Sequence, residues 1–174
     1  MSAKSVLTIA MLCATLLAVS PVRAQQSNPL DTVPEKMPFD VPYGTPISLE
    51  RAAAAIAATV AEAKKHDWKL NVAVVDSGGN LVAFQRMDGA QLASIQISEH
   101  KARASANFRR ETKAFENGIQ LNNYNYILTL DGVIASRGGI PLVENGKLIG
   151  AIGCSGGTGS QDEVACKAGA ATIK

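Results

Sequence analysis

The chain has 174 residues, 47% of them apolar, with 17 lysines and arginines against 15 aspartates and glutamates and a formal charge of +2. That length suits one ordinary domain with its own hydrophobic core. The near-neutral balance, with no basic block, excludes a nucleic-acid footprint or a polybasic membrane patch.

Lys4, an apolar run from Val6 to Val19, Ser20-Pro21 and the small-residue ending Val22-Arg23-Ala24 follow the order of a secretory signal peptide. Residues 1–24 are therefore expected to be a leader, and the mature protein periplasmic or secreted. A membrane span needs about 20 consecutive apolar residues and this run is interrupted first, so no integral membrane segment is expected after processing. Lys4 and Arg23 lie in the leader, which leaves the remaining bases equal to the 15 acids.

Residues 25–47 carry Pro29, Pro34, Pro38, Pro42 and Pro46 without apolar periodicity and read as an extended arm. Residues 48–174 form the expected domain. Ser48 is a good N-cap, and Leu49, Ala53, Ile56 and Val60 predict a helix to about Lys65. Apolar runs at Leu70–Val75 and Leu81–Met87, around Asp76-Ser77-Gly78-Gly79-Asn80, predict a β-hairpin. Leu92 to Phe108 has helical spacing, with Leu92, Ile95, Ala102 and Ala106 on one side and Gln96, His100, Arg103 and Asn107 on the other. Thr112 is read as the cap of a short helix over Lys113–Glu116, stopped by Asn117-Gly118.

The stretch 121–131 alternates asparagine and tyrosine and matches no period. Val133–Ala135 is read as a short strand. Ile140–Val143 and Leu148–Ile152 flank Asn145-Gly146, the strongest short-range hairpin signal. Ser155-Gly156-Gly157-Thr158-Gly159 then leads into Ser160-Gln161-Asp162-Glu163, read as a capping box. Hairpins interrupted by helices give an α+β fold, an antiparallel sheet with helices packed on it. Cys154 and Cys166 sit among small and apolar residues, where buried free thiols are the favoured reading and a disulfide the other.

Several groups are candidates for chemistry. His100 projects from the polar side of its helix with Arg103, whereas His66 reads as a solvated helix end. Tyr124 and Tyr126, among Asn122, Asn123 and Asn125, have the flat area and polar tips that line pockets. Ser155 to Thr158 form a glycine-rich turn into a helix, where free N–H groups suit a carboxylate or simply a tight turn. The glycine spacing matches neither a dinucleotide fingerprint nor a P-loop. Gly153-Cys154-Ser155-Gly156 is not a nucleophile elbow, and Asp76 and Asp88 suit turn chemistry.

Asn71-Val72-Ala73-Val74-Val75-Asp76-Ser77-Gly78-Gly79-Asn80-Leu81-Val82-Ala83-Phe84 and Arg86-Met87-Asp88-Gly89-Ala90 together resemble the first hairpin of the GlcG/HbpS-like haem-binding family. Ser94-Ile95, Lys101-Ala102, Phe108-Arg109-Arg110, Thr112-Lys113-Ala114-Phe115, Gly138-Gly139-Ile140-Pro141-Leu142, Gly150-Ala151-Ile152-Gly153 and Gln161-Asp162-Glu163 continue the resemblance in order. It covers about Ser48 to Ile173. The resemblance implies an antiparallel sheet of about five strands flanked by helices, profilin-like, in a symmetric homo-oligomer. It further implies haem as the cofactor, in scavenging or redox sensing. His100 is then the candidate axial ligand and metal-binding residue, with Arg103, Tyr124, Tyr126, Ser155 and Thr158 as further cofactor contacts. The other reading is an enzyme or enzyme accessory acting on a small catabolic metabolite whose carboxylate sits at Ser155–Thr158. No catalytic constellation accompanies it.

Overall fold

The computed structural model describes residues 28–174, so the expected leader lies outside the described residues. Residues 28–35 belong to a separate unit, in which Asn28 caps a 3₁₀ turn over Pro29–Asp31 by accepting from the Leu30 N–H. Residues 36–174 form the folded unit. No helix among the described residues is long and apolar enough to cross a membrane.

Helix α1 spans Leu49–Lys65, with the Ser48 hydroxyl accepting from the Arg51 N–H as its cap. Strands β1 (Asn71–Asp76) and β2 (Leu81–Arg86) form the first hairpin, whose turn is tied by the Asp76 carboxylate accepting from the Gly78 and Asn80 N–H groups. Helices α2 (Ser94–Phe108) and α3 (Lys113–Gln120) follow, then strands β3 (Gly139–Glu144) and β4 (Lys147–Ser155), and last α4 (Gly159–Ala170). Asn145 and Gly146 both have positive φ, as the two-residue turn between β3 and β4 requires.

The sheet has four strands in the order β2-β1-β4-β3, all antiparallel, rather than about five. An isolated bridge of Tyr43 to Leu148 adds a contact beside β4 without extending it into a fifth strand. Side chains alternate across the sheet. Val72, Val74, Ile140, Leu142, Ile152 and Cys154 pack with α1 and α4, whereas Ala73, Val75 and Ala151 face Ala102 and Ala106 of α2. Layers of helix therefore cover both faces.

The α2 face is paved with small residues because the helix backbone lies almost on the sheet. A Cβ at Gly153 would collide with the Ser98 carbonyl oxygen and the Ala102 nitrogen, and one at Gly139 with the Lys101 carbonyl. At the same end, Lys101 of α2 reaches past Gly138 to Asp162 of α4. The pair meets at 2.8 Å with side chains 2% and 3% exposed. A buried pair contributes little beyond a hydrophobic replacement, but either charge left alone is strongly unfavourable.

Several expectations are corrected. Val133–Ala135 is not a strand. Its neighbourhood is held instead by the Thr112 hydroxyl, which donates to the Ser136 carbonyl and accepts from the Gly139 N–H. Thr112 for that reason does not cap α3 with its side chain. Helix α3 runs through Asn117-Gly118 to Gln120, and Gly118 is buried where Ile127 and Tyr124 press against it. Leu92 precedes α2 and is exposed. The last capping box is Thr158 with Gln161, not Ser160 with Glu163, because Glu163 is occupied by Lys113 and Lys167. Cys154 and Cys166 are joined in a disulfide, with Cα atoms 5.7 Å apart. The bridge fastens α4 to β4, where the composition favoured free thiols.

Lys101→Met should lower the unfolding free energy by about 3 kcal/mol or more at neutral pH, since it leaves the buried Asp162 carboxylate without its cation. Asp162→Asn added to it should recover part of that loss. Denaturant unfolding measures both, and a double variant no better than the single one would contradict this role for the pair.

Candidate functional site

Helix α2 ends at Arg109, a non-glycine residue in the left-handed conformation with φ 55. The N–H groups of Arg109 and Arg110 turn back to the Ala106 and Ser105 carbonyls, and the Ser105 hydroxyl donates to the Arg110 carbonyl. The backbone cost of that conformation is about 1 kcal/mol. It throws Arg110 off the helix axis into a pocket of about 370 Å³ whose lining includes Phe39, Phe108, Phe115, Asn122, Tyr124 and Tyr126. Phe108 and Phe115 meet edge to face at 5.2 Å, and the Tyr124 and Tyr126 rings lie 6.0 Å apart.

The Arg110 guanidinium lies 3.2 Å from the centroid of Phe39 and 5.4 Å from that of Phe115. Its Nε donates to the Phe108 carbonyl at 3.0 Å. No carboxylate pairs with it among the described residues. Burial lowers its pKa, opposed by the charge of Tyr126. A cation that faces aromatic rings and lacks an anion is suited to a flat ligand with an acidic substituent. The phenol oxygens of Tyr124 and Tyr126 and the amide oxygen of Asn122 are side-chain oxygens of its lining that a metal could use. Among the described residues no group of three or more histidines, cysteines, aspartates or glutamates could hold a metal by itself.

Other charges are already engaged. Glu116 accepts from both the Nε and the backbone N–H of Arg137 at 2.8 Å, which holds its carboxyl below the ordinary range. For Glu163, burial raises the pKa, but hydrogen bonds from Lys167 and Lys113 outweigh it and the net direction is down. For Asp162 burial wins over Lys101 and the Gly157 N–H, and the carboxyl is pushed up. A second pocket of about 410 Å³, on the α1 and β2 side, is lined by Lys64, Trp68, Arg86 and Met87 among others. Its tryptophan stacks on His66 with centroids 4.4 Å apart.

Of the residues singled out in the sequence, Tyr124 and Tyr126 come together in the Arg110 pocket. His100 is half-buried on α2 and lines neither pocket; it stands two turns, about 12 Å, along the helix from Phe108. Arg103 is exposed, its Nε 3.4 Å from the Gly79 carbonyl. Ser155 is buried at the end of β4 opposite Asn71, and Thr158 is the cap of α4. The N–H groups of Gly157 and Thr158 are taken by Asp162 and Gln161 of the chain itself. Arg110, Phe39, Phe108 and Phe115 were not expected at a site. A basic pair directly after an aromatic helix end, with a second aromatic seven residues on, was the available signal.

Residues 47–171 match the family described as "Haem degrading protein HbpS-like". Protein GlcG of Escherichia coli K12 is 42% identical over 109 residues, which is 63% of this chain and 81% of that protein. A double mutant of HbpS from Streptomyces reticuli superposes with a TM-score of 0.70 at 27% identity, covering 82% of this chain and 97% of that one. A structure of a PduOC:heme complex gives a TM-score of 0.68 at 27% identity, over 75% of this chain and 96% of that one.

Glu116 and Glu163 stabilise the fold above their ordinary value of 4.5, and that gain is lost as pH falls through their lowered folded values. Asp162 acts in the opposite sense, its contribution diminishing as pH rises from 3.8 toward its raised folded value. The glutamate contribution to the urea midpoint is therefore expected to fall as pH drops below about 4.5. Glu116→Gln should flatten that fall, and an unaltered acid limb in the variant would contradict the assignment.

Proposed function

The chain belongs to the HbpS-like family, and from that premise we propose that it is an exported haem-binding protein whose macrocycle sits in the Arg110 pocket. The observation that carries the reading is Arg110 itself, a half-buried guanidinium among aromatic rings with no carboxylate partner among the described residues. Its N–H groups would pair with a propionate, while Phe108, Phe115 and Tyr124 pack on the ring. Tyr126 lines the same pocket and offers its phenol oxygen as an iron ligand. A tyrosine oxygen is one of the ligands that hold haem iron. Bound there, haem supplies a redox-active or gas-binding iron.

A pocket of 370 Å³ is at the small end for cofactor sites, so an edge of the macrocycle would stay in solvent. That exposure suits capture and hand-over in scavenging, or communication with a partner in redox sensing. Export is supported by the leader pattern and by a disulfide, which persists in oxidising compartments. The family resemblance extends the reading to a profilin-like arrangement and a symmetric homo-oligomer. In such an assembly His100 is a second candidate to ligate iron.

Haemin titrated into the mature protein should bind saturably with a sharpened Soret band. Arg110→Met should weaken binding about tenfold or more, the loss of one charge-assisted contact. Tyr126→Phe should change the spectrum, and His100→Ala should leave both unchanged. No saturable binding by the wild type would overturn the reading. Loss in His100→Ala, with the pocket variants unaffected, would move the iron to α2.

A further inference from the structure

The wall of the Arg110 pocket is completed by a residue outside the stretch that matches the family. Phe39 lies in the proline-rich arm, upstream of residue 47 where the match begins. Among residues 36–40 it alone is half-buried, the others being exposed. The arm is pinned just after it. The Leu148 N–H donates to the Pro42 carbonyl at 2.8 Å, the Gly44 N–H to the Leu148 carbonyl at 2.7 Å, and the Ile47 N–H to the Ile149 carbonyl at 2.8 Å. The left-handed turn at the end of α2 adds two further ties. Arg109 Nη1 donates to the Val41 carbonyl at 3.1 Å, and the Tyr43 hydroxyl donates to the Asn107 carbonyl at 3.0 Å.

Two consecutive arginines thus divide the work. Arg109 fastens the arm, and Arg110 receives the ring that the arm delivers. Beyond the Val41 tie, the Phe39 ring lies against the Arg110 guanidinium, 3.2 Å from centroid to guanidinium carbon. Pro38 and Pro42 flank this short tip and restrict its backbone. A guanidinium held by its face against a ring keeps its in-plane N–H edge available, which is the edge that recognises a carboxylate.

We propose that Phe39 is the positioning residue for Arg110, and that the arm carrying it closes the pocket over a planar, acidic ligand. The proposal rests on the haem reading of the same pocket. It makes selectivity and ligand exchange properties of the arm, which lies upstream of residues 47–171. Opening the wall would speed both entry and escape, whereas removing only the π face would loosen Arg110 and weaken the ligand's acid contact.

The test uses the full mature chain with Phe39→Ala, Phe39→Leu and Phe39→Tyr. Without ligand, the side-chain proton resonances of Arg110 should be shifted upfield by the ring current in wild type and Phe39→Tyr, and relaxed in Phe39→Leu. With haemin in stopped flow, Phe39→Ala should raise the dissociation rate constant about tenfold, Phe39→Leu should weaken equilibrium binding, and Phe39→Tyr should restore wild-type behaviour. Unshifted Arg110 resonances in wild type, or wild-type haemin kinetics in Phe39→Ala and Phe39→Leu, would overturn the proposal. Failure of wild type to bind haemin would overturn the haem reading instead, with the ligand-free resonances still deciding whether Phe39 positions Arg110.

Discussion

The contact between α2 and the sheet is closer than ordinary side chains permit, and much of the rest of the molecule follows from it. Gly139 and Gly153 leave no room for a Cβ beneath the α2 backbone, so the helix has one seat. The seat fixes where Lys101 points, and the buried Lys101–Asp162 pair then ties that helix to α4 on the other face. It also fixes where α2 must stop. The chain leaves the sheet at Phe108, turns through the left-handed Arg109, and sends Arg110 into the space in front of α3. A pocket with a cation at its wall is thus a consequence of glycines beneath the helix.

Charge placement separates structure from function in the folded unit. Glu116, Glu163 and Asp162 are met by Arg137, Lys113, Lys167 and Lys101, and their partners account for them. Arg110 is met by rings and a carbonyl, and among the described residues its charge is left without an opposite. The glycine-rich turn before α4 shows the converse. It has the N–H groups of an anion site, but the Asp162 and Gln161 side chains already occupy two of them.

Local chemistry was readable from the sequence, and long-range closure was not. Ser48 with its apolar spacing, the Asp76–Asn80 turn and Asn145-Gly146 each specify their own conformation within a few residues, and α1 and both hairpins follow them. The ordered motifs identified the family as well. Val133–Ala135 has strand composition but no neighbour to pair with, and Thr112 has a cap's identity but spends its hydroxyl on Ser136 and Gly139. Cys154 and Cys166 meet only because β4 and α4 pack on one core. Tyr124 and Tyr126 were legible as pocket residues from their alternation with asparagine. Arg110 was not, because its partners come from Phe39, far upstream, and Phe115, across a turn. His100 and Arg103 drew attention by helical periodicity alone, which places residues on a face without showing what the face meets.

The Arg110 pocket is the proposed seat of the ligand. A crystal structure of the mature protein loaded with haemin tests that most directly. The macrocycle is expected against Phe108 and Phe115, with a propionate on Arg110 and the Tyr126 oxygen toward the iron. Density for the macrocycle beside His100, or in the pocket at Trp68, would contradict it.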